Sequence, residues 1–174
     1  HYFDVKVVHV PVDDDYRADI DAVKEAITEN TIMLVGSAPD YPRGKVDPIQ
    51  ELGEIAKEHD LGLHVDSCLG GYLLPFVKKL GYEIPDFDLG VPGVTSISAD
   101  IHKYGFAAKG ASVLMFNSQK LQKHMFYAYV DWPGGIYASP SFRGTRPGSI
   151  IAAAWAGLKD LGEEGYLELA RSMM

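Results

Sequence analysis

The chain has 174 residues, a length that predicts one domain or a large part of one. Its composition, 47% hydrophobic and 23% charged, is that of a globular protein with enough apolar residues for a core. The net charge of −8 argues against binding to nucleic acid or to anionic membrane surfaces. A single cysteine, Cys68, rules out an internal disulfide and is consistent with a reducing compartment. No apolar run approaches the roughly 18 residues of a membrane span.

Strand-like and helix-like segments alternate along the chain. The short apolar runs that we predict as strands are residues 5–10, 31–37, 61–67, 93–100 and 111–117. The predicted helices are residues 18–30, 47–60 and 147–161. The second helix has Asp47 as its predicted N-cap and Pro48 at its first helical position. This alternation is typical of an α/β domain with a mostly parallel sheet built from crossover connections.

Three of the predicted strand ends carry unusual chemistry: "GSAPDYPRG", "HVDSCLGG" and "SADIHKYG". Functional sites of open α/β sheets lie at the carboxyl ends of the strands. The sequence therefore predicts one site to which these three segments contribute.

The segment "LHVDSCLGG" places His64 and Asp66 on one face of a strand and Val65 on the other. Asp66 is either an N-cap for the following turn or a carboxylate that stays ionised to hold a cationic partner. Cys68 is either a small core residue or a nucleophile, and nothing in the spacing supports a Cys–His pair with His64. The glycines that follow leave room for a flat ring.

The segment "SADIHKYG" places Lys103 just past an apolar strand. Burial there would lower the pKa of the amine, which suits Schiff-base chemistry, unless the side chain extends to the surface. His102 is a core histidine, a phosphate donor or a metal ligand, but no other histidine has ligand spacing to it, so we predict no metal site. Lys103 and Asp66 form the pair that pyridoxal phosphate (PLP) needs: an amine for its aldehyde and a carboxylate for its pyridine nitrogen.

Three segments, "HVDSCLGG", "SISADIHKYGFAAKGAS" and "WPGGIYASPSFRGTRPG", resemble the sphingosine-1-phosphate lyases. These belong to the PLP-dependent group II decarboxylase-like family of fold type I. The resemblance implies a three-layer α/β/α, PLP-dependent transferase-like large domain with a mostly parallel sheet. It also implies that residues 1–174 are the central part of this domain. The N-terminal segment and the C-terminal small domain would be absent from this chain, together with the ring-stacking histidine and the phosphate loop.

The resemblance implies a role for each matching residue. Lys103 would be catalytic and would bind the PLP aldehyde, Asp66 would pair with the pyridinium nitrogen, and His102 would contact the cofactor phosphate. Cys68 would pack against one face of the ring. Lys109 would bind the substrate phosphate, where related glutamate decarboxylases tend to carry an apolar residue; the alternative is a solvated loop lysine.

The resemblance also implies the partners. The substrate would be a phosphorylated sphingoid base, cleaved by a retro-aldol step to a long-chain aldehyde and phosphoethanolamine. The turn-rich segment 129–149 would lie near the interface of a homodimer with shared active sites, with Arg146 as an interface or anion contact. The protein would be cytoplasmic if bacterial. If eukaryotic, it would be held at the endoplasmic reticulum membrane with a cytosolic catalytic domain.

Two other functions stay open at this point. A group II amino-acid decarboxylase of the glutamate or aromatic type would share Asp66, His102 and Lys103 and break a different bond. A non-catalytic α/β scaffold domain would not need the Lys103–Asp66 pair. A nucleotide-binding Rossmann domain lacks support, because no G-x-G-x-x-G follows a first strand.

Overall fold

The computed structural model describes residues 3–174. The strands are β1 (Met33–Ser37), β2 (Gly62–Asp66), β3 (Ser96–Ala99), β4 (Val113–Phe116), β5 (Tyr127–Tyr129) and β6 (Tyr137–Ser139). The α-helices are α1 (Ile20–Ala26), α2 (Ile49–Glu58), α3 (Leu74–Lys79), α4 (Gln119–Gln122) and α5 (Gly148–Met173). Two 3₁₀ turns, Gly70–Tyr72 and Lys123–Met125, complete the regular structure.

The main sheet has the strand order β1-β2-β3-β4. The first three strands are parallel, with Ser37 opposite Asp66 and Asp66 opposite Ser98, so their carboxyl ends lie side by side. β4 pairs antiparallel with β3 and forms one edge of the sheet. The predicted alternation of strand and helix and the mostly parallel sheet are therefore both confirmed.

The core lies between the sheet and helix α2. Alternation along β2 buries Leu63 and Val65 on one face, and the apolar stripe of α2 packs against them through Ile49, Leu52 and Ile55. Burying such side chains contributes about 1.5–3 kcal/mol each. The opposite face of β2 therefore presents His64 and Asp66, which fixes the side of the sheet on which the polar residues lie.

Two sequence-based predictions about local structure are wrong. The run 5–10 forms no strand; most of it is exposed, and it pairs with no strand among residues 3–174. Asp47 does not cap α2. Its carboxylate accepts hydrogen bonds from the backbone N–H groups of Ser37 (2.7 Å) and Ala18 (2.8 Å), and Pro48 stands at the N-cap position. These tertiary partners outweigh the local cap.

Helix α5 begins after Pro147, as predicted, and its first arm ends at Gly162, where the backbone adopts φ 54°. Helix α1 is shorter than predicted, because Ile27 turns to an extended conformation. Strands β5 and β6 form a small separate antiparallel sheet. No helix in the described part of the chain combines the length and apolar character that crossing a bilayer requires.

Candidate cofactor site

The candidate site lies where β2 and β3 end. Asp66 closes β2 and stands opposite Ser98 of β3, and the turn that carries Lys103 follows β3. The segment after β1 reaches the same place, because the Ala38 N–H donates to the Asp66 carbonyl at 2.9 Å. All three predicted strand ends therefore meet at one edge of the sheet, as parallel pairing requires.

Lys103 forms an ion pair with Asp100, three residues earlier on the same turn. The distance from Lys103 Nζ to Asp100 Oδ2 is 2.8 Å. The Lys103 side chain is 34% exposed, so its desolvation is modest. The hydrogen bond to Asp100, followed by the influence of Cys68, raises the pKa of the Lys103 amine. The prediction that burial lowers this pKa is therefore wrong for the chain alone.

Cys68 lies between Lys103 and Asp66. Its thiol lies beside both the Lys103 amine and the Asp66 carboxylate, close enough for each to influence its pKa. Burial is the largest influence and raises the pKa of the thiol; Lys103 opposes this change and Asp66 adds to it. The geometry thus places the three residues in one cluster, although Asp66 and Lys103 are 37 positions apart in the sequence.

Asp66 also organises the turn that follows it, as an N-cap does. Its Oδ1 accepts from the Cys68 backbone N–H at 3.0 Å and from the Ser98 hydroxyl at 3.4 Å. These donors hold the carboxylate in one orientation. Both interpretations of Asp66 considered at the sequence level are therefore compatible with its position.

His64 lies behind Asp66 on the same sheet face. Its Nε2 is 3.2 Å from Ser98 Oγ, and its Nδ1 is 2.8 Å from Ser96 Oγ. Because the Ser98 hydroxyl gives its single proton to Asp66, Nε2 must carry a proton and donate to Ser98. Burial lowers the pKa of His64, with Asp66 acting against that change, so neutral His64 accepts from Ser96 at Nδ1. His64 pairs with these two serines and not with Cys68.

His102 is fixed by the backbone. Its Nδ1 donates to the Ala111 carbonyl at 2.7 Å, and its Nε2 lies 3.6 Å from Asp100 Oδ2. The side chain is thereby held beside the Lys103–Asp100 pair. Its predicted contact with a cofactor phosphate stays a prediction.

Two predicted residues lie apart from this cluster. The Lys109 side chain is exposed, on the connection between the Lys103 turn and β4. Arg146 is exposed just before α5. Neither makes a hydrogen bond or ion pair with the cluster within residues 3–174, so their roles also stay predictions.

Three residues of the site carried no prediction: Asp100, Ser98 and Ser112. Ser112 donates through its hydroxyl to Asp100 Oδ1. Asp100 was detectable, because a carboxylate three positions before a lysine can pair with it on a turn. The serines had no signal in the sequence, since only the strand register brings Ser98 to Asp66.

The donor set of the cluster fits PLP. Lys103 offers an amine within reach of solvent, Asp66 offers an oriented carboxylate on the neighbouring strand end, and Cys68 is a small side chain between them. In the described range 3–174, no three His, Cys, Asp or Glu side chains form a group that could hold a metal ion.

Comparison with known proteins also relates the chain to PLP-dependent enzymes. The family described as "Pyridoxal-dependent decarboxylase conserved domain" matches residues 1–174. Sphingosine-1-phosphate lyase of Arabidopsis thaliana is 53% identical over 173 residues, which cover 99% of the chain and 32% of the relative. A probable L-aspartate decarboxylase of Pyrococcus abyssi is 41% identical over 170 residues, covering 98% of the chain and 44% of the relative.

A solved structure of the sphingosine-1-phosphate lyase of Burkholderia pseudomallei matches with a TM-score of 0.90 and 51% identity. The match covers 93% of the chain and 37% of that structure. The chain spans about a third of the length of the sphingosine-1-phosphate lyases that it matches. The predicted fold class and the resemblance stated from the three motifs are both confirmed.

Proposed function

Because the chain belongs to the pyridoxal-dependent decarboxylase family, we propose that it is the central part of the PLP-binding large domain of an aldehyde lyase. The substrate is a phosphorylated sphingoid base such as sphingosine 1-phosphate. A retro-aldol cleavage converts it to a long-chain aldehyde and phosphoethanolamine. The observation that carries the proposal is the cluster of Lys103, Cys68 and Asp66 in a chain about half identical to sphingosine-1-phosphate lyases.

Each residue of the cluster has a part in this function. PLP, when bound, supplies an electron sink for the bond that breaks. Lys103 would hold the aldehyde carbon, and Asp66 would keep a proton on the ring nitrogen. The Cys68 N–H and the Ser98 hydroxyl keep the Asp66 carboxylate in place. His102, whose Nδ1 donates to the Ala111 carbonyl, would contact the cofactor phosphate through Nε2, which donates only when both ring nitrogens carry protons.

Lys109 is the residue that we assign to the substrate phosphate. Its side chain is exposed on the connection between the Lys103 turn and β4, so an anion can reach its ammonium group. A charge-assisted hydrogen bond to phosphate contributes about 1.5–3 kcal/mol. Lys109→Ala should therefore raise KM for the phosphorylated substrate by about tenfold or more, with a smaller change in kcat. An unchanged KM would remove Lys109 from the phosphate site.

A homodimer with shared active sites completes the proposal. Its support is the exposed apolar surface of the β5–β6 hairpin and its connections, where Ile136 is 81% exposed and Val130 is 68% exposed. Apolar patches of this kind mark interaction surfaces in soluble proteins. Arg146, exposed at the end of the same segment, is the candidate polar contact.

The deciding experiment uses the full-length protein with PLP and sphingosine 1-phosphate. Mass spectrometry should detect a long-chain aldehyde and phosphoethanolamine in equal amounts. Lys103→Ala should abolish both products, whereas Lys120→Ala, which removes an exposed lysine of α4, should leave turnover unchanged. Absence of both products from a protein that binds PLP would overturn the lyase function.

A second candidate is an amino-acid decarboxylase that uses the same Lys103 and Asp66. The 41% identity to a probable L-aspartate decarboxylase supports it. Release of carbon dioxide from L-aspartate, lost in Lys103→Ala and without aldehyde production from sphingosine 1-phosphate, would establish this function in place of the lyase.

A further inference from the structure

We propose that Asp100 is a positioning residue: it holds the charged Lys103 amine whenever that amine is not bonded to the cofactor, and so sets the pH at which Lys103 can react. The inference rests on the proposed function of Lys103 as the cofactor lysine. Its structural basis is the 2.8 Å contact between Lys103 Nζ and Asp100 Oδ2.

The two oxygens of Asp100 have separate partners. Oδ1 accepts from the Ser112 hydroxyl, which also lies 3.3 Å from the Ala99 carbonyl. Oδ2 is left for Lys103, with His102 Nε2 farther away at 3.6 Å. Ser112 therefore keeps the carboxylate turned toward the lysine.

Asp100 remains ionised in this position. Its side chain is only 16% exposed, and this burial acts against the charge. Hydrogen bonds from Lys103 and Ser112 outweigh burial and lower the pKa of the carboxyl. The pair is consequently an ammonium and a carboxylate over the physiological pH range.

This state has a chemical consequence for Lys103. Only a neutral amine has the lone pair that attacks an aldehyde carbon, so the ammonium must first lose a proton to solvent. An opposite charge in contact raises the pH needed for that loss by about one unit or more. Among residues 3–174, the groups that act on the Lys103 amine are Asp100 and Cys68, with Asp66 beyond the thiol and His102 beyond Asp100.

Competitive labelling with acetic anhydride measures this effect without the cofactor. The full-length, cofactor-free protein is labelled briefly between pH 8 and about 11, and mass spectrometry gives the acetylation of Lys103 relative to exposed Lys120 in the same sample. In the wild type, the midpoint for Lys103 should lie above the ordinary lysine value of 10.5. In Asp100→Asn it should fall by about one unit or more, a roughly tenfold gain in reactivity near pH 9.

Two further variants make the result specific. Asp100→Glu restores a carboxylate, so the midpoint should return toward the wild-type value even if the fold tolerates the change imperfectly. Asp86→Asn removes the partner of Lys78 in an exposed ion pair and should leave the Lys103 midpoint unchanged. A midpoint in Asp100→Asn within a few tenths of a pH unit of the wild type would overturn the inference.

The rate of PLP capture separates this inference from the proposed function. Borohydride reduction followed by peptide mapping shows whether PLP joins Lys103. If PLP joins another residue or none, the function proposed for Lys103 fails, while the labelling result still decides the role of Asp100. If PLP joins Lys103 equally fast at pH 7.5 in the wild type and in Asp100→Asn, only the role of Asp100 fails.

Discussion

The strand-end cluster, formed by Asp66, Cys68, Asp100 and Lys103 with their partners, pairs its polar side chains with one another, whereas the β5–β6 hairpin exposes its apolar side chains. In the cluster, polar side chains satisfy one another: Asp66 accepts from Ser98, Ser98 accepts from His64, and Asp100 holds Lys103. In the hairpin and its connections, large apolar side chains face outward. The exposed ones are Phe126, Tyr127, Tyr129, Val130, Trp132, Ile136 and Tyr137.

This difference shows that contacts within the chain hold the cluster in place but leave the hairpin without a covering surface. The register of β2 and β3 alone brings Asp66 to Ser98, and helix α2 buries the other face of the same strands. Within residues 3–174 the hairpin has no such support, because its two strands pair only with each other. Isolated two-stranded sheets are marginally stable in water, so the hairpin needs a surface that covers its apolar side.

The largest expected effect comes from breaking the packing beneath the cluster. A Cβ on Gly70 would lie 2.1 Å from the Ala38 carbonyl oxygen, a backbone atom that cannot move aside alone. We expect Gly70→Ala to lower the free energy of unfolding by about 3 kcal/mol or more, measured by urea denaturation.

Gly157→Ala is the matched control for Gly70→Ala. Gly157 lies within α5, and a Cβ there meets nothing within 4 Å. This change should raise stability by about 0.5–1 kcal/mol. Equal stability in the two variants would show that the turn after β2 is not held as tightly as its contacts indicate.

The cluster was largely predictable because alternation fixes which side chains of a strand share a face, and parallel pairing brings the carboxyl ends of neighbouring strands together. Alternation put His64 and Asp66 on one face, and the order of strands put Lys103 on the neighbouring end. Asp100 was missed because the sequence does not show that Lys103 stays partly exposed, where a local ion pair outweighs desolvation. The pKa of Lys103 consequently moves in the opposite direction from the one expected.

The wrong predictions share a physical cause. Asp47 has the sequence signature of a cap, but the backbone amides of Ser37 and Ala18 compete for its oxygens from elsewhere in the fold. Residues 5–10 have an apolar character typical of strands, but a strand needs a neighbour to complete its hydrogen bonds. The local sequence shows neither the amides that compete for Asp47 nor the lack of a neighbouring strand for residues 5–10.

The next largest effect should come from the hairpin side of the comparison. If a second copy of the chain covers this surface, Ile136→Asp places a charge within the interface, because Ile136 is 81% exposed in one copy. The dissociation constant of the full-length dimer should rise about tenfold or more, as measured by analytical ultracentrifugation. Stability of the single subunit should change by only about 0.5 kcal/mol.

Tyr82→Asp is the control for that surface. Tyr82 is 45% exposed on the turn after α3, away from the hairpin in the sequence. This variant should leave the dissociation constant unchanged. A dimer that tolerates Ile136→Asp as well as Tyr82→Asp would show that its interface lies elsewhere.

The smallest expected effect is the acid sensitivity of the cluster. Burial lowers the pKa of His64 below its ordinary value of 6.5, so the unfolded chain binds this proton more readily than the folded chain. The free energy of unfolding should therefore hold above about pH 6.5 and fall as the pH drops below it. Since His64 is only half-buried, we expect the loss to be at most about 1 kcal/mol.

His64→Gln tests the source of this loss. The glutamine amide can still donate to Ser98 but does not titrate, so the fall in stability below pH 6.5 should shrink relative to the wild type. Urea midpoints at pH 7.5 and pH 5.5 give the comparison for each protein. An equal loss in both would assign the acid sensitivity to other groups. A smaller loss in the variant would show that protonation of His64 destabilises the folded chain.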